Sequence, residues 1–208
     1  MHKIKAEKLV SKFYNGEGWH SDKGHTNDAI RWEDLRECSQ EYVSRCRRRL
    51  LSFIPQQGKR ILDMASGPIQ YPEYLEYSKN FEKRYCVDLS LKALELARDK
   101  IGGHGVFLHG SFFDLEIEDN FFDCSVSMHT IYHMDRGKQE EAVRKLLRIT
   151  KPGKPIIIVY SNPKTIISIP SRLLRFIKSL LTLSLLLFKS PPSLNSTIRN
   201  FAGTPLSW

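Results

Sequence analysis

Two acidic residues stand at the ends of short apolar runs: Asp63 in Arg60-Ile-Leu-Asp-Met-Ala-Ser-Gly67, and Asp88 in Arg84-Tyr-Cys-Val-Asp-Leu-Ser90. The first run passes into a turn of small residues, Ala65, Ser66 and Gly67, where a ligand can approach the backbone closely. The second carboxylate, at a neighbouring strand end, has the geometry that grips the hydroxyls of a ribose. A small-residue turn between a strand and a helix, with an acid one strand further on, is the pattern of a nucleoside pocket. A dinucleotide site would seat a pyrophosphate on the following helix N-terminus. Here Pro68 removes a backbone donor and Gln70 falls near the packing glycine, so a ligand without phosphates fits better. Asp88 also has a purely structural reading, as a cap for the helix starting at Leu91, a role for which Ser90 is the better candidate.

Further groups lie at later strand ends. Gly110-Ser-Phe-Phe-Asp114 places Ser111 and Phe112 where a polar edge and an aromatic face would meet a base. Ser127-Met-His-Thr-Ile-Tyr-His133 carries His129 and His133, candidates for a general base at the pocket mouth or, equally, packing residues of the strand end. A third metal ligand is absent from this stretch, and the four cysteines form no CxxC pair, so no metal is expected. Tyr14, Trp19 and Tyr132 are candidates for a lid or substrate wall.

These residues must be positioned by alternating elements. Strands are expected at Arg60–Met64, Arg84–Asp88, Val106–His109, Cys124–Met128 and Pro155–Tyr160, with helices at Pro72–Lys79, Leu91–Ile101 and Gly137–Thr150. Such alternation specifies an α/β fold, a doubly wound, mostly parallel sheet with ligands beyond the strand carboxyl ends. Residues 1–56 read as an N-terminal helical and lid segment, 57–162 as the ligand-binding core, and 163–208 as a Leu-rich helix and tail. Within the first segment, apolar positions from Trp32 to Phe53 predict one long helix. Its basic run, Arg45–Arg49, lies there with apolar neighbours facing inward.

With these motifs in order, the chain resembles the class I S-adenosylmethionine-dependent methyltransferases, in particular the small "type 11" group. Leu62-Asp-Met-Ala-Ser-Gly-Pro68 is similar to the family's first motif and Val87-Asp-Leu-Ser90 to its second. Asp119–Ser127 resembles the segment entering the fourth strand, and Leu147–Gly153 the loop before the fifth. The resemblance, over roughly residues 58–162, implies a Rossmann-like fold and S-adenosyl-L-methionine as cofactor. Asp63, Ala65 and Gly67 would hold its methionine end, Asp88 its ribose, and Ser111 with Phe112 its adenine; Ser66, Leu89 and Met128 complete the set. The family usually has Asp where Ser111 stands and Gly where Ala65 stands. The sequence after Asn162 carries no pair of strands of the kind that closes the family's sheet, so the chain reads as truncated there.

The implied reaction is methyl transfer to a small-molecule, glycan or lipid-like acceptor; the rival reading is a silent binding or scaffold protein on the same fold. The 208 residues, 41% apolar and 26% charged, suit one soluble domain. A net charge of +9 favours anionic partners, but no basic-aromatic stripe accompanies it, which argues against nucleic acid. Ser171–Lys189, basic then Leu-rich, suits peripheral contact with a membrane interface. Scattered cysteines and a polar start suggest a cytoplasmic setting.

Overall fold

The computed structural model describes residues 3–22 and 25–160. The chain opens with α1 (Lys3–Phe13), a wide turn at Tyr14–Gly18, and a short antiparallel pair, β1 (Ser21–Asp22) with β2 (His25–Thr26). Helix α2 (Asn27–Trp32) starts where Thr26 Oγ1 accepts the Ala29 N–H, and α3 spans Glu37–Arg49. The expected single helix over 32–53 is therefore two. Glu33 is extended, and Asp34 accepts from the Arg36 N–H and the Ser39 hydroxyl, so side-chain bonds displace the helical ladder at that point. Nor does α3 bury its apolar neighbours: Tyr42 is exposed, and no α3 residue is buried.

From Gly58 the alternation holds. Strands β3 (Gly58–Met64), β4 (Phe81–Asp88), β5 (Gly105–His109), β6 (Cys124–Met128) and β7 (Ile156–Val159) form one sheet in the order β5-β4-β3-β6-β7, every pair parallel. Helices α4 (Pro72–Glu76), α5 (Leu91–Ile101) and α6 (Arg136–Ile149) connect them. Ser90 caps α5 by accepting the Ala93 N–H, which assigns the capping role away from Asp88.

Strand alternation divides the core between two faces. Leu62, Met64, Val87 and Phe122 pack with Leu146 and Ile149 of α6; Ile61 and Val126 meet Tyr77 and Phe81; Cys86 and Ile69 meet Leu94 and Ala97 of α5. Cys86 and Cys124 are buried as expected, and burial pushes both thiols up to about 12. Chain order reverses between β3 and β6, so the crevice beyond their carboxyl ends is the place where such sheets hold ligands. The Leu-rich segment Ser171–Lys189 and any closing strands lie outside the described residues. Among the described residues no helix is long and apolar enough to cross a membrane.

Candidate functional site

The turn after β3 adopts the left-handed conformation at alternate positions: Ala65 (φ 57°), Gly67 (φ 55°) and Ile69 (φ 50°). For the two non-glycines this costs about 1–2 kcal/mol each. Ile69 offsets the strain by burying its side chain against Cys86, Leu94 and Ala97, while Lys100 Nζ donates to its carbonyl at 2.8 Å. The Ser66 N–H donates to the Val87 carbonyl, and the Gly67 N–H donates to Asp88 Oδ2 at 2.8 Å. Asp88 Oδ1 accepts the Ser90 N–H, also at 2.8 Å. The acid and the turn are thus bonded directly. Two of the turn's donors are committed internally, Pro68 has none, and α4 has only five residues. This loop has no cradle for a pyrophosphate.

A carboxylate has about four acceptor sites, so Asp88 retains capacity for two hydroxyl donors after binding two amides. Burial raises its pKa, with the Ser90 and Gly67 N–H bonds pulling the other way. Asp63 departs from expectation. It is 3% exposed, and its Oδ2 accepts from Arg84 Nε at 3.1 Å and from Arg84 Nη2. Arg84, 1% exposed, also donates to the Tyr74 carbonyl. Asp63 thus anchors a buried ion pair within the sheet through one of its two oxygens.

Trp19 lies over the turn: a Cβ built on Gly67 would meet its ring at 3.3 Å. The indole stacks on Tyr14 (centroids 4.8 Å apart, 26° between planes), and Tyr14 donates to Asp28 Oδ1 at 3.0 Å. Trp19, one of the three candidate lid or wall aromatics, thus lies at this turn with Tyr14 stacked on it. Trp19 Nε1 is buried without an acceptor among the described residues. An unpaired buried donor beside the turn is what an anionic ligand group would satisfy.

At the end of β6, Met128 is half-buried and His129 has φ 54° with its N–H bonded to the Val159 carbonyl. His129, Tyr132 and His133 cluster, Tyr132 lying 6.3 Å from His129 and 4.3 Å from His133 by ring centroid. Desolvation lowers both histidines, against opposing pulls from Glu33 on His129 and Asp28 on His133. A lowered pKa favours the neutral imidazole, the form that accepts a proton. Among the described residues no cluster of metal-ligating groups occurs.

Beyond Leu89, an open cleft of about 430 Å³ runs between α1 and the ends of β4 and β5. Phe112, expected to give an aromatic face to the base, does not line it: the ring is buried in the core. Ser111 instead donates to Glu7 Oε1 at 2.9 Å. The loop carrying Ser111 is held by Lys145, whose ammonium donates to the carbonyls of Phe112 (2.6 Å), Phe113 (3.2 Å) and Leu115 (2.6 Å). Lys145→Met should cost about 1.5–3 kcal/mol in denaturant unfolding, the range for hydrogen bonds to a charged group. Amide exchange should accelerate at residues 111–115 ahead of the rest of the sheet.

Several site residues escaped the sequence reading. Arg84 carried a signal, a charge inside an apolar strand. Glu7, Ser11 and Asn15 carried one too, since with Trp19 they recur every four residues.

Residues 62–158 match the family described as a methyltransferase domain. Over that stretch the chain is similar to S-adenosylmethionine-dependent methyltransferases. The ubiquinone/menaquinone biosynthesis C-methyltransferase of Pseudomonas paraeruginosa is 28% identical over 118 residues, 52% of this chain and 44% of that one. The chain thus spans less than half the length of this curated relative. Among solved structures, phosphoethanolamine N-methyltransferase 1 of Haemonchus contortus superposes with a TM-score of 0.64 at 15% identity, over 79% of this chain and 34% of that one. Geranyl diphosphate C-methyltransferase of Streptomyces coelicolor gives 0.53 at 13% identity, over 74% and 64%. At such identities the two superpositions show the fold of this methyltransferase domain and nothing finer.

Proposed function

We propose that this chain binds S-adenosyl-L-methionine across the ends of β3, β4 and β6 and transfers its methyl group to a small-molecule, glycan or lipid-like acceptor. The observation that carries this reading is the direct bond between the Gly67 N–H and Asp88, in a turn that lacks a phosphate cradle. The residues fit the cofactor: Asp88 offers acceptors for two ribose hydroxyls, Trp19 Nε1 an unpaired donor for a carboxylate, and Ala65–Gly67 a turn of small residues. When bound, the cofactor supplies a methyl carbon already activated by a sulfonium leaving group. The protein's work is then positioning and exclusion of water. Trp19 and Tyr14 roof the turn, and Tyr132 walls the mouth. His129, with His133 beside it, takes the proton when the acceptor's nucleophile arrives protonated.

The relatives named above are carbon and nitrogen methyltransferases, so the fold admits several acceptors. One observation favours the rival reading of a silent scaffold: the Trp19 ring already covers Gly67. Calorimetry separates the two. An enzyme binds both S-adenosylmethionine and its demethylated product at micromolar level, with a change in Trp19 emission as the ring yields to the ligand. A scaffold binds neither.

A further inference from the structure

Helix α1 and the turn after it lay one face across three strand ends in succession. Glu7 accepts from Ser111 beyond β5, at 2.9 Å. Ser11 donates to the Leu89 carbonyl after β4, at 3.2 Å. Asn15 accepts from the Ser90 hydroxyl at 3.0 Å, and Trp19 covers Gly67 after β3. Spacing of four residues puts these groups on one side of a helix, so the N-terminal segment forms a wall over the strand ends.

The cleft beneath that wall is lined by Leu89, the residue following Asp88, by His109 of β5 and by Gly110 just after it. A base attached to a sugar on Asp88 has this cleft as its neighbour. Among the described residues, Ser111 is the only hydrogen-bond donor to Glu7, and it uses one oxygen of the carboxylate, leaving the other to accept. A carboxylate accepts and cannot donate, so it favours a base edge that presents N–H groups.

The geometry points to Glu7 as the residue that selects a 6-aminopurine, accepting the exocyclic amine while Ser111 orients the carboxylate. This rests on the nucleoside-ligand reading above and adds the source of base specificity: a group on the N-terminal helix, outside the α/β core.

The test is calorimetric, on the full chain, with S-adenosylhomocysteine and with its inosyl counterpart, which carries an oxo group in place of the amine. Wild type should prefer the adenosyl ligand by about 10- to 100-fold, the range for a hydrogen bond to a charged group. Glu7→Gln, whose amide can donate as well as accept, should collapse that preference towards unity by weakening the adenosyl ligand. Glu7→Ala with Ser111→Asp returns a carboxylate from the strand side and should restore the preference. Circular dichroism and thermal unfolding establish that each variant is folded. Unchanged discrimination in Glu7→Gln overturns the proposal while leaving the nucleoside reading intact. If wild type binds neither ligand, that reading falls and this proposal with it.

Discussion

Asp88→Asn should weaken S-adenosylhomocysteine by about 10²- to 10⁴-fold, because two hydroxyl bonds to a charged acceptor are each worth about 1.5–3 kcal/mol. The substitution also disturbs the turn. Asparagine offers one acceptor oxygen, whereas the native carboxylate accepts Gly67 N–H on one oxygen and Ser90 N–H on the other. One of these amides would face an NH₂ group, and unfolding free energy should drop by about 1–3 kcal/mol. A ligand lacking the ribose hydroxyls separates the two effects. Against wild type it should bind about as weakly as the intact ligand binds Asp88→Asn, and the substitution should weaken it little further. Affinity of the variant within twofold of wild type would remove Asp88 from the site.

The pH dependence follows from the same residue. Burial raises the Asp88 pKa in the ligand-free protein. Hydroxyl donors favour the ionised carboxylate, so ligand affinity should fall as pH descends through that raised value, sooner than for an ordinary carboxyl. Stability of the free protein runs oppositely: a raised folded-state pKa stabilises below the unfolded value and is lost as pH rises through the folded one. Calorimetry of binding and thermal unfolding over the acidic range should show these opposite slopes.

The parallel sheet was legible because its strands are short apolar runs separated by helical periods and ended by turn residues. That legibility came from local pattern, and it failed where a side chain competes with the backbone. Asp34 splits the helix expected over 32–53 by drawing the Arg36 N–H and the Ser39 hydroxyl to its carboxylate. Asp88 and Gly67 were legible as a pair because strand order makes their ends neighbours. The surroundings of Asp63 and Phe112 were not legible for a different reason. Each stands at a strand end, but residue type does not reveal which way a side chain turns. Phe112 turns into the core and Asp63 toward Arg84. The contact of Glu7 with Ser111 spans 104 residues of sequence, beyond the reach of any local pattern.

Arg84→Met should be among the most destabilising single changes, about 3–5 kcal/mol, since it leaves the Asp63 carboxylate buried without its partner. Arg84 holds more than the acid: its Nη1 donates to the Tyr74 carbonyl at 2.5 Å, tying β4 to the segment that follows the Gly67 turn. The double variant Arg84→Met with Asp63→Leu removes both charges and should recover most of the lost stability, as replacement of buried pairs by apolar residues commonly does. That double variant also decides what Asp63 does. As a structural anchor it is dispensable once the core is neutral, and S-adenosylhomocysteine affinity should stay within about tenfold of wild type, some 1.4 kcal/mol. A ligand-contacting Asp63 predicts the reverse, a protein refolded to near-native stability that no longer binds. Denaturant unfolding and calorimetry on the same preparations give both quantities, and the ion pair keeps its structural role only if stability and binding return together.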